Sequence, residues 1–331
     1  MGNFVFTCGD VNGIGPEIVL KSLNGLAKSK NRDKYFFICP SNIFKSLSNR
    51  IKPQFEYSLY DDRSKFNVVS KVNILFLPDC KLVAGKPTKD SGETAYSALK
   101  VSYKLLKKNI CDAIITAPVS KTALHLAGKR FPGQTEMFAK WSDSKNYLMV
   151  FLSKKINISL NSIHIPVKKI SSSLNKKQLL ASLNILINCL KVDLGISNPK
   201  IAVLGLNPHA GESGIIGKEE NEIVIPVIKK FSQRFNIKGP FSPDAYFANR
   251  LFEKFDMTYA MYHDQALIPF KFINFGKGVN FTAGLPIVRT SPDHGVAYDI
   301  AGKFKADESS MLQAFKYAKK IVSNRKNEKI I

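Results

Sequence analysis

The sequence predicts an α/β fold in which a largely parallel sheet is covered by helices. Two observations carry this expectation. Short apolar runs of strand length recur along the chain, and the stretches between them have the apolar spacing of amphipathic helices. Because the runs are continuous rather than alternating, both faces of the strands should be buried, as in a parallel sheet between helical layers. With 331 residues and 44% hydrophobic content, the chain can bury a large core and divide into two domains.

In chain order, NFVFTC at 3–8 reads as the first strand, and GPEIVLKSLNGLA at 15–27 reads as a helix. That helix opens with Pro16 at its first turn and Glu17 beside it, where the helix dipole favours an acid. KYFFICP at 34–40 and NILFLP at 73–78 are the next strands, followed by a long helix over 93–108. DAIITAP at 112–118, LMVFL at 148–152 and ISLNSIHI at 158–165 continue the strand series. A helix over 176–191, then KIAVLGL at 200–206 and YAMYH at 259–263, complete the pattern. There is no internal repeat, low-complexity tract or Pro/Ser-rich linker to mark a boundary.

Several function classes are disfavoured. The N-terminus MGNFVFTCGD lacks a basic region followed by an apolar one, and Phe6 stands where a myristoylation signal needs Ser or Thr. The segment LLASLNILINCL at 179–190 is too short to span a bilayer and is interrupted by Asn184 and Asn188, so a cytoplasmic location and no membrane partner are expected. Five cysteines form no CxxC pair, which argues against disulfides and against a cysteine zinc knuckle. The formal charge of +23 is dispersed along the chain in short Lys pairs instead of being gathered on one segment. Such a distribution favours a solvated surface that attracts anionic small molecules over a nucleic-acid face.

The chemistry-bearing residues gather in loops. GDVNGIGPE places Gly13 and Gly15 after the first strand, but their spacing is not that of a dinucleotide phosphate loop. TAPVSKTALHLAGKRFPGQTE offers Lys121, Gln134 and Thr135 after a buried strand, with His125 in a helix-like run as a structural residue. NPHAGESGIIGKEE sets Gly211, Gly214 and Gly217 around Glu212, so that backbone can approach a ligand closely. Three of the five histidines, His164, His209 and His263, follow strand-like runs. Strand ends are where α/β folds bind ligands, and three neutral imidazoles suit a divalent ion with an open coordination position. Spacing alone does not separate that reading from three hydrogen-bonded core histidines.

The motifs GDVNGIGPEI, TAPVSKTALHLAG, FPGQTE, GLNPHAGESG with GKEE, AMYHDQALIP, FGKGVNFTAGLPIVRTSPDHG and AYDIAG with KAD together resemble the 4-hydroxythreonine-4-phosphate dehydrogenase family over nearly the whole chain. The resemblance implies that His164, His209 and His263 bind one divalent metal (Zn, Mg, Mn or Co), two from one subunit and the third from a homodimer partner. It implies substrate contacts from Gln134, Thr135, Lys271, Asn280 and Arg289. Lys271 and Arg289 stand beside apolar residues, where a cation needs a partner such as a phosphate or carboxylate.

The implied reaction is NAD(P)-dependent oxidation of 4-phosphooxy-L-threonine at its secondary hydroxyl, acidified by the metal as Zn²⁺ lowers bound water to a pKa of about 7. The β-keto acid formed then loses carbon dioxide. Asp244 and Asp264 are the alternatives for general base, or for partners that orient the imidazoles. SPDHGVAYDIAG is similar to the adenosine-binding loop of isocitrate and isopropylmalate dehydrogenases, which implies His294, Gly295 and Asp299 near the dinucleotide. It also implies two α/β/α domains with a central cleft, residues 1–135 with 285–331 on the cofactor side and 136–284 for metal, substrate and dimerisation.

Two departures from the family pattern stand out: Gln134 occupies the place of a usual substrate-contacting His, and Val11 and Asn12 replace Pro and Ala. They leave open a related dehydrogenase acting on phosphothreonate or phosphoerythronate. A noncatalytic phosphometabolite-binding protein is the alternative from another class.

Overall fold

The computed structural model describes residues 1–61, 70–274 and 276–328. The chain divides into two compact units, Met1–Ser142 with Ile287–Val322, and Asp143–Pro286 with the chain from Ser323 onward. The first boundary lies past the expected residue 135 because α5 (Gln134–Trp141) packs with α3 (Lys89–Lys107). Tyr96 and Tyr103 of α3 each meet the Trp141 ring at 5.7 Å between centroids, so cutting the chain before α5 would expose an aromatic cluster.

In the first unit, β1 (Asn3–Thr7), β2 (Lys34–Pro40), β3 (Tyr57–Tyr60), β4 (Val72–Leu77), β5 (Ala113–Thr116) and β12 (Arg289–Pro292) align in the order β3-β4-β2-β1-β5-β12. Every pairing among them is parallel. The helices of this unit are α1 (Gly15–Ala27), α2 (Ser41–Arg50), α3, α4 (Lys121–Leu126), α5 and α11 (Ser309–Glu328) as far as Val322. Phe4, Phe6 and Tyr35 pack around Phe315 of α11, which fastens that helix to the sheet. The α3 helix starts at a capping box in which Thr88 accepts from the Ser91 backbone and Ser91 accepts from that of Thr88. All of the expected strands of this half are present, and the structure adds β3 and β12. The β12 sequence RTSP has no apolar signature, yet all four residues are buried.

In the second unit the order is β11-β6-β7-β10-β8-β9, from β6 (Leu148–Leu152), β7 (Ile158–Leu160), β8 (Lys200–Leu204), β9 (Asn236–Phe241), β10 (Met257–Ala260) and β11 (Val279–Ala283). β7, β10, β8 and β9 run parallel, whereas β6 pairs antiparallel with both β7 and β11. Its helices include α6 (Ile170–Ser173), α7 (Lys176–Asn188), α8 (Ile225–Ser232), α9 (Pro243–Ala248) and α10 (His263–Asn274). Phe151, Leu160, Leu204, Tyr246 and Phe270 belong to one buried cluster that joins β6, β7, β8, α9 and α10. Among the described residues, no helix is long and apolar enough to cross a membrane. All five cysteines are buried free thiols.

Candidate active site

Three adjacent parallel strands of the second unit each deliver one histidine beyond their C-terminal ends: β7 leads to His164, β10 to His263 and β8 to His209. The parallel sheet therefore sets all three at the end where α/β proteins bind ligands. The His164 and His263 rings lie 6.1 Å apart between centroids. Ser162, His164, Val167, Tyr262, His263 and Asp264 line an open pocket of about 190 Å³.

His263 is the first residue of α10, and its Nδ1 is 2.7 Å from Asp264 Oδ1. That contact leaves Nε2 of His263 as the nitrogen available to a ligand. Asp244 feels the charge of His209: its pKa is held below the usual range mainly by the Ser242 hydroxyl and slightly by His209. Among the described residues, no three His, Cys, Asp or Glu side chains of one chain converge as a metal-binding group.

The loop that carries His209 is an unusual piece of backbone. From His209 to Ser213 every residue has positive φ, including His209 (51°), Ala210 (52°), Glu212 (44°) and Ser213 (59°). Each non-glycine residue in the left-handed region costs roughly 1–2 kcal/mol, so other contacts must impose the conformation. Glu220 supplies them. Its buried carboxylate accepts from the Leu206 and Asn207 backbone at 2.7 and 2.8 Å and from Asn207 Nδ2 at 2.9 Å. At Gly211 a Cβ would lie 2.6 Å from Glu220 Oε2, which is why the turn needs glycine there. The GKEE segment thus has a role that its sequence did not reveal: it shapes the turn that presents His209.

Arg289 lies in the first unit, only 3% exposed. Its Nε and Nη2 donate to Thr116 Oγ1 at 3.1 and 2.8 Å, and Nη2 also donates to Gln134 Oε1 at 3.2 Å. Burial pushes the guanidinium down to about 10, a shift that nearby Glu136 opposes, so the group stays cationic at neutral pH. A buried cation whose hydrogen-bond partners, Thr116 and Gln134, are neutral is suited to receive an anion.

Gln134 is committed at both ends, because its Nε2 donates to the Ala117 carbonyl at 3.2 Å. Thr135 is buried at the start of α5. Asn280 of β11 keeps its Oδ1 buried without a hydrogen-bond partner among the described residues. Lys271 is exposed on α10, as is His125 on α4.

The segment 294–302 holds His294 half-buried, with Gly295 and Asp299 exposed. Its inner side rests on residues that the sequence did not single out as functional. Asp10, fully buried, accepts from the Tyr298 hydroxyl at 2.8 Å, and burial raises its pKa. Asn12 donates to the Lys86 carbonyl and to Thr88 Oγ1 and accepts from the Val83 backbone. The departure at position 12 therefore adds a tether between the first turn and residues 83–88. The available signal was the short polar run DVN directly after a buried strand.

Parallel α/β units, one carrying histidines beyond its strand ends and the other a buried arginine, define a class of enzymes that act on anionic small molecules. Residues 32–318 match the family described as pyridoxal phosphate biosynthetic protein PdxA, and the chain belongs to that family. A 4-hydroxythreonine-4-phosphate dehydrogenase of Bacteroides thetaiotaomicron is 37% identical over 98% of this chain and 89% of its own. A D-threonate 4-phosphate dehydrogenase of Salmonella typhimurium is also 37% identical, over 94% and 96%. The crystal structure of 4-hydroxythreonine-4-phosphate dehydrogenase from Klebsiella pneumoniae superposes with a TM-score of 0.82 at 34% identity, covering 97% of this chain and 98% of that one. Isocitrate dehydrogenase from Methylococcus capsulatus, at 12% identity and a TM-score of 0.51, shares the fold, covering 99% of this chain and 88% of its own. The chain is accordingly a dehydrogenase, an oxidoreductase of pyridoxal phosphate biosynthesis.

Proposed function

We propose that this chain oxidises 4-phosphooxy-L-threonine with NAD(P)⁺ to 2-amino-3-oxo-4-phosphooxybutanoate, which decarboxylates to 3-amino-2-oxopropyl phosphate. The working form is a homodimer with shared metal sites. The observation that carries the proposal is the histidine arrangement: three imidazoles follow neighbouring parallel strands, yet one chain brings only His164 and His263 together. His209 of a second chain completes the set. Exposed apolar side chains on the segments carrying the histidines, including Val167, Ile215 and Ile268, suit burial against a second copy.

The donor set fits a divalent ion, since three neutral nitrogens leave a position for a substrate oxygen. When bound, the ion supplies Lewis acidity to the substrate hydroxyl, and the nicotinamide supplies the hydride acceptor. The chain's own residues orient and anchor. Asp264 fixes the His263 ring through Nδ1. A carboxylate whose pKa is held low is a weak base, which disfavours Asp244 as the proton acceptor. Arg289, with Thr135, Lys271 and Asn280, binds the anionic ends of the substrate, and the exposed face of 294–299 binds the dinucleotide.

The relatives named for D-threonate 4-phosphate support one further reading, a substrate that carries hydroxyl in place of the amine. A panel of 4-phosphooxy-L-threonine, D-threonate 4-phosphate and 4-phosphoerythronate decides between them. Each is assayed with NAD⁺ and NADP⁺ after chelation and after adding back Zn²⁺, Mn²⁺, Co²⁺ or Mg²⁺. A kcat/KM at least about tenfold higher for the threonine derivative, lost on chelation and restored by metal, is expected. Full turnover in metal-free enzyme would end the metal proposal.

A further inference from the structure

We infer that Asp10 and Glu17, two buried carboxylates on the first strand-to-helix turn, are positioning residues that hold the loop 296–306 in the shape that receives the dinucleotide. The inference rests on the reading that His294, Gly295 and Asp299 meet that cofactor. The loop has little structure of its own. Between β12 and α11 it forms only the short turn Tyr298–Ile300, and it includes three positive φ angles, at Ala297 (48°), Gly302 (75°) and Phe304 (56°).

What orders it comes from the first turn. At its near end the Ile14 backbone donates to Val296 O at 3.0 Å, and the Tyr298 hydroxyl donates to Asp10 Oδ2 at 2.8 Å. At its far end the Ala306 backbone donates to Glu17 Oε1 at 2.8 Å, while Lys21 joins Glu17 and donates to the carbonyls of Ala306 and Phe304. Contact at the near end is close enough that a Cβ on Gly13 would lie 2.5 Å from Val296 O.

The opposite side is open. Asp299 and Gly295 are exposed, and a Cβ added at Gly295 would meet nothing within 4 Å. A loop pinned from beneath by buried acids and bare above is a preorganised platform, and preorganisation is read in affinity for the ligand it receives. Asp10 is also costly to keep: burial raises its pKa against the opposing bonds from Tyr298 and the Asn12 backbone. A carboxyl buried at such a cost in a strand-end turn is consistent with a demand beyond folding.

The test uses the full-length enzyme with NAD⁺ and NADP⁺. Tyr298→Phe keeps the ring and removes the hydroxyl that donates to Asp10 and also meets Ser120; Glu17→Ala removes the acceptor at the far end, and Glu17→Gln restores an acceptor of the same shape. Tyr298→Phe and Glu17→Ala should each raise Kd and KM for the preferred dinucleotide about tenfold. The kcat at saturating cofactor and the KM for the phosphorylated substrate should stay within about twofold, and Glu17→Gln should recover most of the affinity. Asp299→Ala and His294→Ala are measured alongside. If these two leave dinucleotide affinity unchanged, the cofactor assignment of the loop fails. If they weaken it while Tyr298→Phe and Glu17→Ala do not, the positioning role fails. Equal losses in both KM values with a lowered Tm would likewise overturn it, because the two acids would then serve the fold alone.

Discussion

Replacing Arg289 with Met should separate substrate affinity from folding stability, moving the first strongly and the second little. Methionine matches the length of the arginine stem and removes the charge. In the folded chain the guanidinium is 3% exposed, bonded to Thr116 and Gln134, and burial pushes it down to about 10. Removing a buried cation relieves desolvation of several kcal/mol, while leaving Thr116 Oγ1 and Gln134 Oε1 without their donor costs about 1–3 kcal/mol each. These terms oppose one another, so net stability should change by no more than about 2 kcal/mol, read as a Tm shift of a few degrees.

Substrate binding has no such compensation. A bound phosphate or carboxylate would lose its buried charge partner, an effect of about 2–5 kcal/mol, and kcat/KM should fall at least about 30-fold. The assay is reduced-nicotinamide formation against substrate concentration, paired with thermal melting in the presence and absence of inorganic phosphate. A variant that melts far lower yet keeps wild-type kcat/KM per folded molecule would refute the anchoring role and leave Arg289 as a structural cation.

Other perturbations follow from the same geometry. Mixing His209→Ala chains with His263→Ala chains should restore about one quarter of wild-type activity, because random exchange makes half the dimers mixed and one of their two sites complete. Each variant alone should be inactive, and restoration to zero would remove the shared-site proposal. Glu220→Ala should unlock the left-handed turn at His209, costing about 3 kcal/mol and releasing metal on dialysis, measured by melting and metal analysis. Asp10 titrates above its unfolded value, so it binds a proton more readily in the native state. Its contribution is therefore fully favourable below about pH 3.9 and is lost as pH rises through its raised native pKa. Asp10→Asn should accordingly gain stability relative to wild type as pH rises from 4 to 7 in urea titrations; a constant difference would contradict the burial argument.

The legible part of the fold was the part whose residues are apolar and continuous. β1, β2, β4, β5, β6, β7 and β8 announce themselves as runs rich in Phe, Ile, Leu and Val, and β10 as the apolar stretch around Tyr259. β12 does not, because its burial serves Arg289 and Thr290, which find partners in Thr116, Gln134 and the Ala314 carbonyl. β3, with two of its four residues exposed, and β9, with Gly239 and Pro240 inside it, lack the pattern for a different reason: they end their sheets' strand orders. A polar or half-exposed strand can be inferred only from its neighbours, and the sequence does not specify neighbours.

The site divides along the same line. Groups that perform chemistry were visible because imidazole, guanidinium and carboxylate are rare beside apolar runs. Groups that shape the site were not, because their role is a distance. Glu220 reads as one of two adjacent acids in a charged helix start, and only the fold reveals two backbone donors and a glycine turn closing on it. Gln134 reads as a lost titratable group, whereas its two amide ends brace Arg289 and the Ala117 carbonyl. A glutamine neither gains nor loses a proton near neutrality, so the brace on Arg289 does not change with pH. Replacing Gln134 with His would make that brace protonation-dependent. The KM for the phosphorylated substrate should then rise as pH falls through about 6.5, where a protonated imidazole turns from acceptor to donor and repels the guanidinium. A KM that stays flat from pH 8 to 5.5 in Gln134→His would mean that Arg289 does not depend on position 134 for its orientation.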